Sequence, residues 1–243
     1  MPPLIDPPLV IAHAGGAGPE NTMAAIRASL AAGVQALEVD VWCTSDGTPV
    51  LLHDQTLDRT TNGTGNITDL TLVEAQALDA GDGERIPTLV EALAETRGRA
   101  RLNIEVKQEG IASEVVAAVR GVNAARDVWI SSFSTETIEA AKWIAPEIER
   151  SLLFMKIRED ASEFILYNLS NFILGSFAPL FEFVRANPLF VEVCHKRGVP
   201  VYTWTVDGAH ALEEARSLEV DGVFTDDVAL ALELYRVPEL AVA

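Results

Sequence analysis

Two registers of apolar and polar positions alternate along this chain: short β-branched runs, and longer stretches with helical spacing. The first run, Val10-Ile11-Ala12-His13, opens into Ala14-Gly15-Gly16-Ala17-Gly18-Pro19-Glu20-Asn21-Thr22. Thr22 is placed to cap a helix from Met23 to Ala32 that Gly33 stops. A second run, Ala36-Leu37-Glu38-Val39-Asp40-Val41, leads through Ser45-Asp46-Gly47 to Val50-Leu51-Leu52-His53. That connection is too short for a parallel crossover, so the two runs read as a hairpin. A polar, Gly-containing loop follows, then helical spacing from Leu70 to Leu78 and a further loop from Asp79 to Arg85.

From Ile86-Pro87 onward the alternation is regular. Thr88 caps a helix to about Thr96, Leu102 to Lys107 is a strand, and Ile111 to Val122 is a helix. A strand over Val128–Phe133 precedes a helix over Thr135–Ile144, and a strand over Ser151–Met155 precedes a helix over Ala161–Leu169. Next come a strand within Asn171–Ser176 and helical character from Leu180 to His195, where Pro188 starts or kinks a helix. The chain then reads as strand Val199–Val206, helix Ala209–Ser217, strand Asp221–Asp226 and helix Val228–Tyr235. With the second arm of the hairpin set aside, about eight strand–helix units remain, the number that closes a barrel. The expected fold is therefore α/β, a TIM (β/α)8 barrel with a short hairpin insertion after the second strand, in a single domain over residues 1–243. An open doubly wound sheet is the rival, but neither the Rossmann nor the P-loop glycine pattern is present.

Composition sharpens this picture. Hydrophobic residues make up 49% of the chain, ample for a large core, and 36 acidic against 18 basic residues give a formal charge of −18. Such a surface repels nucleic acid and anionic membranes, so the expected partner is a small molecule, and an anionic one would need a cation in the site to reverse the local field. No apolar run reaches the roughly 20 residues of a membrane span, and the start of the chain lacks a basic, apolar leader. A cytoplasmic location is expected. Cys43 and Cys194 are too few for a disulfide framework and read as small buried hydrophobes.

Chemistry-bearing residues fall at strand ends, where a parallel barrel places its active site. His13 ends the first strand, Glu38 and Asp40 share one face of the second by their period-two spacing, Glu105 and Lys107 end the third, and Asp226 ends the last. His53 returns toward the same rim from the hairpin. Like charges gathered in apolar strands require a counter-ion, and an all-carboxylate oxygen set favours one hard divalent cation, Mg²⁺ or Ca²⁺, over zinc. Lys107 could instead simply neutralise Glu105. His195 and His210 read as surface residues, and Arg59 and Asn62 as braces of the Gly-rich loop.

In order, His13-x-Gly15, Pro19-Glu20-Asn21-Thr22, Glu38-x-Asp40, Thr44-x-Asp46-Gly47, His53-Asp54, Arg59-Thr60-Thr61, Ile86-Pro87-Thr88-Leu89, Ile104-Glu105-Val106-Lys107, Ser131-Ser132-Phe133, Trp204-Thr205-Val206 and Thr225-Asp226 run through nearly the whole chain. This ordered set resembles the glycerophosphodiester phosphodiesterase family. The resemblance implies a TIM barrel in which Glu38, Asp40 and Glu105 hold a divalent cation. It also implies that His13 and His53 act as general acid and base, that Lys107 binds the phosphate and that Trp204 lines the pocket against glycerol. The implied reaction is metal-dependent hydrolysis of a glycerophosphodiester to sn-glycerol 3-phosphate and an alcohol. One position departs from the family, whose usual His-Arg-Gly has Ala14 in place of the arginine. Other substrates therefore stay open, a sugar phosphodiester or a lysophospholipid, as does a weakly active barrel that binds a phosphorylated ligand.

Overall fold

The computed structural model describes residues 2–158 and 160–236. Its strands are β1 (Leu9–Ala12), β2 (Ala36–Cys43), β3 (Pro49–Leu51), β4 (Arg101–Val106), β5 (Val128–Ser132), β6 (Glu149–Phe154), β7 (Ser176–Pro179), β8 (Tyr202–Thr203) and β9 (Gly222–Thr225). Every strand except β3 pairs with its neighbours in parallel, in the order β7-β6-β5-β4-β2-β1-β9-β8. Parallel bridges Phe177–Val201 and Leu180–Trp204 join β7 to β8 and close the ring. The result is the expected eight-stranded barrel, and β3 lies outside it as the antiparallel arm of β2.

Local sequence accounts for most element boundaries. The helix α1 (Met23–Ala32) begins where the Thr22 hydroxyl accepts from the Ala25 N–H, and it stops at Gly33, whose φ of 88° suits a residue without Cβ. The short α2 (Leu72–Gln76) and α3 (Leu89–Thr96) each open with a capping box, Thr71 with Glu74 and Thr88 with Glu91. Then come α4 (Ala112–Gly121), α5 (Thr135–Ile144), α6 (Ala161–Phe172), α7 (Phe181–Ala186), α8 (Leu189–His195), α9 (Ala209–Ser217) and α10 (Val228–Leu234).

The departures from expectation concentrate between residues 156 and 195. The strand expected within Asn171–Ser176 is the last turn of α6 and its left-handed end at Ile173, and the barrel strand lies later, at Ser176–Pro179. Apolar density on both faces hides the helical period there. The stretch from Leu180 to His195 is two helices, α7 and α8, parted at Asn187-Pro188. His195, expected at the surface, is buried and pairs with Asp221 at 2.8 Å, whereas His210 is exposed as expected. Both cysteines are free and buried, and burial pushes the Cys43 thiol up to about 12.

Two apolar layers hold the fold. Ile11, Ala36, Trp129, Leu153, Ala178, Tyr202 and Phe224 fill the barrel, and larger clusters pack the helices on its outside. The excursion after β2 exceeds a hairpin: Val50, Leu52, Leu57, Ile67, Ala75, Ala80 and Ile86 form a small core of its own. No helix among the described residues is long and apolar enough to cross a membrane.

Candidate active site

Strand register assembles an acidic centre. In the parallel pair β2–β4, Glu38 sits opposite Asn103 and Asp40 opposite Glu105, so the side chains of Glu38, Asp40 and Glu105 face the same interior. One carboxylate oxygen from each lies within 4.8 Å of the others, and all three residues are buried. Burial first, and then the Asp40 charge, raise the carboxyls of Glu38 and Glu105 above the usual carboxylate range.

Three neighbours hold this centre in place. The Ala14 N–H donates to Glu38 Oε2 at 2.8 Å from a turn in which Ala14 itself has a φ of 49°. Gly16 completes that turn at φ 95°, where a Cβ would stand 1.9 Å from Ser29 Oγ, so only glycine fits. Asn21, left-handed at φ 57°, grips Asp40 twice: its Nδ2 donates to Asp40 Oδ2 at 2.8 Å and its Oδ1 accepts from the Asp40 N–H at 2.9 Å. Lys107 Nζ donates to Glu105 Oε1 at 2.7 Å and lies 2.9 Å from Asp40 Oδ1, the latter an ion pair off the hydrogen-bond direction. Burial opposes the Lys107 charge, but Asp40 and Glu105 outweigh it and push the ammonium above its ordinary value.

The donor set fits a hard cation. Glu38 Oε1 is buried with no hydrogen-bond partner among the described residues, and Asp40 Oδ1 has only the misaligned lysine. Orphaned buried oxygens on Glu38 and Asp40, in a cluster of three carboxylates that each bring one oxygen within 4.8 Å of the others, suit a divalent ion with oxygen ligands.

Both histidines stand beside this centre, each with its own carboxylate. His13 Nδ1 is 2.9 Å from Asp226 Oδ1, and His53 Nδ1 is 2.7 Å from Asp54 Oδ1. Burial alone would lower the His13 imidazole, but the Asp226 hydrogen bond and the charges of Glu38, Asp226 and Asp40 together raise it to about 9. The Asp54 carboxyl is held down to about 2, first by the hydrogen bond from Arg59 and then by that from His53. A cavity of about 310 Å³ brings His13, Glu38, His53, Glu105, Lys107 and Trp204 onto one surface. Its opposite wall is apolar: Phe133 meets Trp204 edge to face at 5.4 Å, beside Leu153 and Met155. Trp204 Nε1 donates to the Ala178 carbonyl at 2.7 Å, which fixes the indole.

Every residue expected at the site therefore gathers at one end of the barrel. Arg59, expected as a loop brace, instead bonds Asp54 and Glu20. Asn62 does brace its loop, through both backbone and side chain to Asp79. Asn21 had no expected role at the site, since its grip on Asp40 exists only in the folded chain. The one local hint was an asparagine in a turn, a residue that tolerates the left-handed region.

Residues 14–230 match the glycerophosphoryl diester phosphodiesterase family. A glycerophosphodiester phosphodiesterase of Caldanaerobacter subterraneus subsp. tengcongensis is 36% identical over 94% of this chain and 98% of its own length. Among solved structures, a glycerophosphodiester phosphodiesterase from Agrobacterium tumefaciens superposes with a TM-score of 0.81 at 30% identity, covering 93% of this chain and 99% of that one. An Oleispira antarctica phosphodiesterase in complex with its product sn-glycerol-3-phosphate gives a TM-score of 0.84 at 30% identity, over 93% and 96% of the two chains. With both its sequence and its barrel matched across nearly their whole length, this chain belongs to the glycerophosphoryl diester phosphodiesterase family, whose members are phosphoric diester hydrolases.

Proposed function

We propose that the protein hydrolyses glycerophosphodiesters to sn-glycerol 3-phosphate and an alcohol, using one divalent cation, Mg²⁺ or Ca²⁺, held by Glu38, Asp40 and Glu105. The observation that carries this reading is the gathering of two carboxylate-tethered histidines and a buried three-carboxylate cluster around one cavity. The product complex of the Oleispira antarctica relative supports the choice of substrate.

When bound, the cation supplies charge neutralisation to the phosphoryl oxygens. The rest follows from the chain's own groups. Asp54 and Asp226 are carboxylates that only accept, so Nδ1 of each histidine carries the hydrogen and Nε2 is left to exchange a proton with substrate. One histidine takes a proton from the substrate's own glycerol hydroxyl as it attacks phosphorus and the other gives one to the departing alkoxide, after which water opens the cyclic phosphate to sn-glycerol 3-phosphate. Lys107, buried and charged beside the carboxylates, offers its remaining N–H donors to a phosphate oxygen. Trp204 and Phe133 form the apolar wall against which the carbon skeleton packs.

That same wall favours a second substrate class. Phe133 and Met155 are both exposed at the cavity mouth, as the acyl chain carried on the glycerol of a lysophospholipid would need. Enzyme-coupled detection of glycerol 3-phosphate from glycerophosphocholine and glycerophosphoethanolamine, with and without chelator, tests the main reading. Release from either diester that stops on chelation is expected. Release of choline from lysophosphatidylcholine, with neither glycerophosphodiester turned over, would replace it with the second.

A further inference from the structure

A chain of charge-assisted hydrogen bonds runs from the first loop of the barrel to His53. Arg59 donates Nη1 and Nη2 to the two carboxylate oxygens of Glu20 at 2.8 and 2.5 Å, a bidentate fork. Its Nε donates to Asp54 Oδ2 at 2.5 Å, and the other Asp54 oxygen, Oδ1, faces His53 Nδ1 at 2.7 Å. All four side chains are between about a third and half exposed, so these ion pairs add little to folding. Their geometry constrains orientation instead. Asp54 follows His53 directly in the chain, and adjacency alone leaves its carboxylate free to rotate. The planar guanidinium removes that freedom, because one face of the fork is anchored on Glu20, 39 positions away in sequence.

The anchor is not an arbitrary surface residue. Its neighbour Asn21 grips both the carboxylate and the backbone N–H of Asp40 with its side-chain amide, so residues 20 and 21 tie the acidic centre and, through Arg59, the hairpin histidine to one short loop.

We infer that Glu20 and Arg59 are positioning residues for His53: Arg59, anchored by Glu20, holds the Asp54 carboxylate against Nδ1, fixing the ring so that Nε2 is the atom that exchanges the proton. The inference rests on the proposed part of His53 in proton transfer. Asp54 stays anionic throughout the working range, since Arg59 and then His53 hold its carboxyl down to about 2.

The test uses the full chain with Mg²⁺ or Ca²⁺ and glycerophosphocholine. Arg59→Ala is expected to lower kcat by roughly 10- to 100-fold with KM and Tm little changed, since small misplacements of a reacting group act on the chemical step. Arg59→Lys should recover part of the loss, and Glu20→Gln should fall between the two. In an Asp54→Asn background, Arg59→Ala should add less than about threefold, because it acts through Asp54. A full additional loss there, appearing in KM, would mean that Arg59 meets the phosphate directly and would overturn the inference. A readout free of turnover is the long-range ¹H–¹⁵N spectrum of the His53 ring, assigned by its absence in His53→Gln. The wild type should show a single Nδ1–H tautomer and Arg59→Ala a mixture. An unchanged tautomer in Arg59→Ala would overturn the inference even if the protein proved inactive on every diester, which separates its failure from failure of the phosphodiesterase reading.

Discussion

Glu38→Gln separates the two states of the acidic centre, with and without a cation. Ligand oxygens of Glu38, Asp40 and Glu105 lie within 4.8 Å of one another. At an effective dielectric constant near 20, each ionised pair at that distance repels by about 3.5 kcal/mol, of which Lys107 offsets only a part. Without a cation the folded chain therefore retains a proton on Glu38, whose carboxyl is raised to about 8, that the unfolded chain would release, and the Glu105 carboxyl is shifted in the same direction. A raised carboxyl in the folded state means that stability falls as pH rises above the unfolded value, from about pH 5 toward pH 8. Cation binding works against this loss. At a hundredfold excess over Kd it adds about 2.7 kcal/mol, or roughly 5–10 °C in Tm for a chain of this size, and the gain grows with pH because protons compete for the same oxygens. Differential scanning fluorimetry of chelator-treated protein, titrated with Mg²⁺ and with Ca²⁺ at about pH 6 and pH 8, measures it. Glu38→Gln should be at least as stable as the wild type without metal at the higher pH, and should lose most of the cation response. Equal cation shifts in variant and wild type, or no shift in the wild type with either ion, would refute the electrostatic account.

The other predictions concern single side chains. His13→Ala and His53→Ala should each lower kcat roughly 100- to 10,000-fold in the glycerol 3-phosphate assay while leaving the far-UV circular dichroism unchanged. Wild-type-like turnover removes that histidine from the reaction. Ala14→Arg should lower KM for glycerophosphodiesters by about tenfold, the worth of a charged bidentate donor. Ala14 already carries a Cβ at φ 49°, so the change adds no backbone strain, and an unaltered KM would show that the missing arginine does not limit the site. Asp221→Ala should lower Tm by on the order of 10 °C in thermal unfolding, because it strands the buried His195 together with the N–H groups of Leu4, Ile5 and Val201. A shift of a degree or two would mean that water substitutes for the carboxylate.

Much of this molecule is written locally. Period-two spacing puts Glu38 and Asp40 on one strand face, hydroxyl caps at Thr22 and Thr88 mark where helices begin, and the regular strand–helix alternation closes the barrel. What escaped the sequence depends on contacts between distant parts of the chain. His195 sits in a helix with polar neighbours, and its burial follows only from Asp221 reaching it across the base of the barrel. The His13–Asp226 pair spans 213 positions, and both residues could be named as strand ends but not as partners. The strand Ser176–Pro179 is four residues long and follows an apolar helix end, so no periodicity separates the two.

The insertion after β2 bears on how this enzyme ages and fails. His13 hangs from a barrel strand, whereas His53 belongs to a segment with its own small core. The two histidines proposed as the acid–base pair thus sit on differently cored parts of the chain, which are expected to open at different free energies. On warming, the segment that carries His53 should exchange its amide hydrogens earlier than the barrel strands do. If His53 acts in proton transfer as proposed, activity would then vanish while most secondary structure survives, and the working temperature limit would be set by this satellite of roughly forty residues rather than by the barrel beneath it.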